Sequence, residues 1–269
     1  MKNYILYIIL AALSMTMSCQ KYLDIVPEGT TTIDDAFKRP NEALNFLYSL
    51  YSFQPPETDL AYAIGQWATD EMAIPWIRGT SYGYLLISGQ LNSSSPIFDY
   101  WSGKGPISMY DGIRQCHTFI ENIDKTPGFT EAEKIRMKGE AKFLVGYLHF
   151  VLLRQYGPIV LMKDVVPLDA PAEVYYPKRR PYDECVAYIV QMLDESANVL
   201  PNGAPDGSSV APNEYGRATA AAARATALGI VLLAAFGLPP LFSLRKAPAL
   251  RVLRRAAGGP GIAGIGAYA

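Results

Sequence analysis

TEAEKIRMKGEAKFLVGYLHFVLLRQYGPIVLM, running from Thr130 to Met162, is the stretch whose reading fixes the fold. Thr130 and Glu133 form an S/T-x-x-E capping box, in which each side chain satisfies a backbone N–H of a first helical turn. Gly157-Pro158 closes the stretch, because the glycine suits a helix end and the proline cannot continue it. Between them, Met137, Ala141, Leu144, Leu148 and Leu152 recur at helical spacing and make one apolar stripe. Phe143, Tyr147, Phe150 and Arg154 make a second stripe beside it. An apolar surface this wide exceeds what one partner covers, so the spacing predicts a central helix sandwiched between neighbours.

The flanking sequence supplies those neighbours. PISMYDGIRQCHTFIENID, residues 106–124, reads as a helix with Pro106 in its first turn. Tyr110, Ile113, His117 and Ile120 line one stripe, widened by Cys116, Phe119 and Ile123. PYDECVAYIVQMLDESANVLP, residues 181–201, starts with Asp183 and Glu184 opposing the helix dipole. Its buried stripe is Val186, Ile189, Leu193, Ala197 and Leu200, and Pro201-Asn202-Gly203 ends it. Further upstream, Ala43, Phe46, Leu47, Leu50 and Tyr51 predict another helix, after an arm broken at Pro27 and Gly29. Residues 54–104 are irregular, yet Trp67, Trp76 and Trp101 argue against disorder.

The chain has 269 residues and a net charge of −1, enough for a sizeable core and without the excess of base that nucleic-acid binding needs. It has 18 tyrosines, many outside the apolar stripes; these either pack amphipathically or offer a recognition surface with apolar area and a polar tip. Met1 to Cys19 combines Lys2, an apolar run over Tyr4–Leu13, and Ser18 before Cys19. That pattern is a secretory signal, too short for a comfortable membrane span. It ends either in a loose lipobox with acylation at Cys19 or in an ordinary secretory cleavage site. Cys116 and Cys185 have no metal spacing; the compartment would permit a disulfide, but they read rather as two small buried core residues.

Several of these segments resemble the SusD/RagB family of outer-membrane lipoproteins from Bacteroidetes-type bacteria. AEKIRMKGEAKFLVGYLHFVLLRQYGPIVLM is similar to that family's central helix. KYLDIVPEGTTTIDDAF with NEALNFLYSLYS resembles its amino-terminal arm and first helix, and YDGIRQCHTFIENID its next long helix, with His117 where the family usually has Asn. WATDEMAIPW, RRPYDECVAYIVQMLDESANVLP and YGRATAAAARA add further matches in the same order. The resemblance covers about residues 13–225. It implies an all-α, tetratricopeptide-like helical-repeat domain with long irregular loops, although no strict repeat of roughly 34 residues is visible.

The same resemblance implies a surface protein, lipid-anchored at Cys19 to the outer membrane. Such a protein captures glycans or other nutrients and passes them to a TonB-dependent transporter of the SusC type. A sugar ring rests its apolar face on an aromatic plane and offers its hydroxyls to polar neighbours. Trp76, Arg78, Tyr82 and Tyr84 are the ligand-binding candidates, with Trp76 packing under its own loop as the alternative. Trp101, directly before a helix, reads as core.

No catalytic residue, metal ligand or cofactor motif stands out. His117 and His149 lie on helix stripes, and the adjacent acids Asp34-Asp35 and Asp70-Glu71 point apart. A binding protein is therefore expected rather than an enzyme. The alternatives are a module that only docks to other proteins, and a truncated product without function.

The sequence divides into a signal peptide at 1–18, a helical domain at 19–225 and an aberrant tail at 226–269. After Glu214 no Asp, Glu, Asn or Gln occurs, and Ala, Gly, Pro, Leu and Arg take over. Residues 226–244 are apolar over a membrane-span length, interrupted by Pro239-Pro240. A frameshift near 225–244 accounts for that change of composition. It would leave the outer face of the 181–200 helix uncovered.

Overall fold

The computed structural model describes residues 33–55, 82–92, 94, 96, 99–102, 108–167, 169–203 and 216–236. They form helices α1 (Ile33–Ala36), α2 (Pro40–Leu50), α3 (Tyr82–Ile87), α4 (Met109–Asn122), α5 (Glu131–Tyr156), α6 (Ala172–Tyr175), α7 (Tyr182–Ala197) and α8 (Ala220–Phe236). Short 3-10 turns follow α2 and α4, and there is no strand among the described residues. This is the expected all-α architecture of packed helices.

α5 is the axis. Thr130 caps it, its hydroxyl accepting from Glu133 N–H while the Glu133 carboxylate accepts from Thr130 N–H at 2.7 Å. Gly157 ends it at φ +69°, in the left-handed region that glycine enters without steric cost. Met137, Ala141, Leu144, Leu148 and Leu152 are all buried, as the stripe predicts. Phe143 of the second stripe is buried too, Tyr147 and Phe150 are half-buried, and Arg154 reaches solvent. α4 and α7 grip opposite sides of this helix. Two glycines let α7 come close: a Cβ on Gly146 would lie 3.0 Å from Leu193 Cγ, and one on Gly139 only 2.5 Å from Val199 Cγ2.

α4 starts one residue beyond Ser108, whose hydroxyl accepts from Asp111 N–H; Pro106 lies outside the described residues. α2 packs across α4 through the rings of Phe37, Phe46 and Phe119, with centroids 5.4–6.0 Å apart. Leu47, Leu50, Ile113, Leu144, Leu148, Ile189 and Leu193 are fully buried in one continuous core. Each such side chain contributes about 1.5–3 kcal/mol by leaving water. Cys116 and Cys185 are free and buried in that core.

The far side of α7 departs from expectation. α8 packs along α7 with Ala220, Ala223, Ala227, Ile230 and Val231 buried, so the outer face of the 181–200 helix is covered. The small alanines at spacings of three and four residues make a flat face that α7 can approach. Only the opposite face, with Leu228 and Leu232, is exposed. α8 takes up the first part of the apolar run, through Phe236. No helix among the described residues is long and apolar enough to cross a membrane.

Candidate functional site

The carboxyl-terminal end of α5 carries the described backbone that lacks regular structure yet is fixed by side chains. After Gly157 the chain runs as a strap, residues 158–167, against side chains of α4, α5 and α7. Irregular backbone needs partners for its N–H and C=O groups. Here the helices provide them: Tyr110 O–H donates to Val160 O at 3.1 Å, and Arg114 to Val166 O at 2.9 Å. His117 Nε2–H donates to Met162 O at 3.0 Å, while Met162 N–H donates to His149 Nε2 at 3.3 Å. Ile159 is the strap's buried anchor, and its carbonyl accepts from Arg180 N–H at 2.8 Å. Burial pushes the Tyr110 phenol above its ordinary range, which keeps it a donor.

An aromatic group closes this end. The half-buried Trp101 ring meets Tyr110 and Tyr156 edge-on, with centroids 5.2 and 5.5 Å away. The Arg179 guanidinium lies 4.6 Å from the Trp101 ring centre, a cation–π contact on the solvent side. Asp99 builds the turn under Trp101, its carboxylate accepting from Trp101 N–H at 3.0 Å and Ser102 N–H at 2.8 Å. Tyr100 N–H donates to Tyr156 Oη at 3.1 Å. Trp101 thus joins loop 99–102 to the bundle and serves as packing, as its sequence position predicts. The exposed rim beyond it belongs to the α6 segment: Tyr176 is 83% exposed, with Tyr175, Lys178, Arg179 and Arg180 beside it.

Of the ligand-binding candidates, Trp76 and Arg78 lie outside the described residues, as does Cys19. Tyr82 opens α3, and its side chain is not described. Tyr84 is half-buried on the same short helix, and its carbonyl accepts from Ser88 N–H and Oγ–H. The described part of α3 and its following loop presents Ser88, Gln90, Asn92 and Ser94 to solvent. These are hydrogen-bonding groups of the kind sugar hydroxyls use.

Reactive chemistry is not assembled in the described part of the chain. His149 is fully buried and spends both ring nitrogens on backbone, Nδ1–H donating to Val145 O at 2.8 Å. Burial holds its pKa down to about 4. Burial likewise lowers His117. Among the described residues no three His, Cys, Asp or Glu side chains gather as a metal site.

Periodicity overlooked one group. Glu140 is fully buried at the amino-terminal half of α5. Arg217 grips it with two nitrogens, at 2.5 and 3.1 Å, and Tyr51 O–H donates to it at 2.8 Å. Tyr51 Oη in turn accepts from Ala218 N–H at 3.0 Å. The signal was a lone carboxylate on a helix face otherwise apolar at Phe143 and Tyr147, with a single arginine in the YGR turn before α8. Its effect is to latch the start of α8 to α2 and α5.

Known proteins resemble this arrangement. Residues 78–232 match a family model described as SusD-like, starch-binding associating with outer membrane. A SusD-like protein of Bacteroides ovatus is 27% identical over 170 residues, covering 61% of this chain and 29% of that protein. The solved structure of BT4246 superposes with a TM-score of 0.59 at 34% identity, over 74% of this chain and 32% of that one. A laminarin-binding SusD-like protein shares the fold, with a TM-score of 0.60 at 18% identity over 84% of this chain and 45% of that one. The chain spans about a third of the length of the first two of these relatives.

Proposed function

Because this chain belongs to the SusD-like family, we propose that it acts as an outer-membrane lipoprotein that captures glycans for uptake. It is anchored through an acylated Cys19 and presents its ligand to a TonB-dependent transporter of the SusC type. It carries out no chemistry on the sugar. The family match over residues 78–232, described as starch-binding, is the observation that carries this reading. The surface chemistry is consistent with it: exposed tyrosines and cations on the α6 rim, and hydroxyl and amide side chains after α3, suit a ligand with apolar faces and many hydroxyls.

The contacts proposed are Trp76 and Tyr82 as stacking planes, with Arg78 and Tyr84 as hydrogen-bonding neighbours. Calorimetry against starch and laminarin oligosaccharides tests this, laminarin being included because a protein of this fold binds it. Trp76→Ala should weaken binding at least about tenfold and leave the helical circular dichroism unchanged, which corresponds to roughly 1.4 kcal/mol. Binding of the transporter without any glycan affinity in the chain would instead favour a docking module. Mass spectrometry of membrane fractions should find lipid on Cys19. A chain cleaved at another residue and released to the periplasm would remove the anchor from this account.

A further inference from the structure

His117 from α4 and His149 from α5 meet at one residue of the strap, Met162, from opposite hydrogen-bonding sides. A carbonyl only accepts, so His117 must present Nε2–H to Met162 O. A backbone N–H only donates, so His149 Nε2 must be unprotonated to accept from Met162 N–H. The Val145 carbonyl then requires the His149 proton on Nδ1. Both tautomers follow from the partners. The two rings respond oppositely to acid. A second proton on His117 leaves its Nε2–H donor in place. A second proton on His149 sets N–H against N–H at Met162 and puts a charge in a fully buried site.

We propose that this pair is an acid-sensitive clasp: protonation of His149 breaks its bond to Met162 N–H, leaves only Met162 O held, and loosens strap 158–167 while the helices stay folded. The surroundings of His149 do little to soften that protonation. From α4 the facing titratable group is His117, whose charge opposes a second one, with Glu121 acting on His117 from the same helix. The strap contributes Asp164, which acts on His117, and Lys163, whose ammonium lies 5.5 Å from the Tyr188 ring. From α7 comes Tyr188, edge-on to His149 at 5.4 Å, with its phenol held neutral by burial and its O–H donating to Met162 O at 3.5 Å beside the His117 contact. No carboxylate among these touches the His149 ring. The strap also carries acceptors for the exposed α6 rim: Pro158 O for Arg179 and Pro167 O for Tyr175. Its release would therefore loosen that rim, whatever the rim binds.

The test uses the full chain, with nitrogen-15 labelled histidine for magnetic resonance and hydrogen exchange read by peptide. At neutral pH, His149 should show the Nδ1–H tautomer. Between pH 7 and pH 5, exchange of amides 158–167, corrected for the intrinsic rate, should rise more than about tenfold while the 131–156 amides do not follow. His117→Gln, which keeps a donor toward Met162 O, should retain the response. His149→Gln should lose it. The proposal fails if His149 carries its proton on Nε2, if strap exchange is flat with pH, if the strap opens only together with α5, or if His149→Gln responds as the parent does. The first three readouts are made on the unmodified chain, so they decide the matter even if the variant does not fold.

Discussion

The two ends of α5 are built on different principles. At the amino-terminal half, charge does the joining: a capping box starts the helix, and Glu140, Arg217 and Tyr51 tie α2, α5 and α8 at one buried point. At the carboxyl-terminal end, neutral donors hold irregular backbone: Tyr110, His117 and His149 each spend a polar atom on the strap. A buried ion pair is costly to half-remove. A histidine that accepts through a ring nitrogen loses that contact when the nitrogen is protonated. The first arrangement suits a fixed scaffold, and the second a segment that can part from the bundle.

Between the two ends lies the core, where the largest effect is expected. Leu148 is fully buried in the face of α5 toward α4, with its Cδ1 lying 2.9 Å from a Cβ placed on Gly112. Leu148→Asp puts an unpaired carboxylate there at a cost of several kcal/mol, against a total stability of about 5–15. The variant should be unfolded by circular dichroism at 25 °C. A cooperative melt near that of the parent would mean that both ends hold without the middle.

Next in size is the charge lock. Glu140→Ala leaves Arg217 half-buried without its bidentate acceptor, and should cost about 3–5 kcal/mol. The loss should appear first at α8, as faster exchange of the amides of 220–231, with the strap unaffected. Arg217→Met in the Glu140→Met background should recover part of that stability, because the bidentate pair is gone and only the partly exposed Arg136, which lies 3.6 Å from Glu140, keeps its charge there. If strap and α8 loosen together, the two ends are one cooperative unit and the contrast between them is wrong.

The histidine end should be legible in the pH dependence of stability. Burial lowers the folded pKa of His149 from the ordinary 6.5 to about 4. The unfolded chain therefore binds a proton first as pH falls. The stability associated with neutral His149 is complete above pH 6.5 and is lost between 6.5 and 4, by about 3 kcal/mol in total. Chemical denaturation across that window should show the loss, and His149→Gln should remove most of it. An unchanged slope in the variant would assign the acid sensitivity to carboxylates instead.

How much of this was readable beforehand follows the same division. The stripes of α4, α5 and α7 place their apolar residues in the core because a long helix repeats its message every turn, so single misplacements do not matter. The lock at Glu140 was legible only as a polar exception on an apolar face, since its partners Tyr51 and Arg217 lie 89 and 77 residues away. The strap gave no periodic signal at all: its conformation is dictated by side chains of three separate helices. Coverage of α7 by α8 was hidden for a compositional reason. Alanine-rich sequence carries no charge contrast to mark a face, although alanine is the best helix former and its small side chain allows close packing. Trp76, Arg78 and Cys19 lie outside the described residues, and Tyr82 and Tyr84 share one short helix.

The smallest expected effect tests how local the amino-terminal end is. Thr130 caps α5 reciprocally with Glu133, and the carboxylate's pKa is lowered by its hydrogen bonds to the Thr130 backbone and hydroxyl. Thr130→Ala removes the hydroxyl but leaves the backbone N–H donating to Glu133, so about 1 kcal/mol should be lost. In a chain of this size that is a shift of a few degrees in Tm. Thr130→Ser should restore it, since the capping oxygen returns. The frayed first turn carries Lys134, which reaches the Asp124 carbonyl at 3.0 Å, and the next turn carries Lys138, paired with the Asp124 carboxylate at 2.6 Å. If the cap is local, these surface contacts hold α4 to α5 and only the amides of residues 131–134 exchange faster. Faster exchange reaching Glu140 would show that the cap and the buried lock act together, which would make the whole amino-terminal half of α5 a single charge-organised unit.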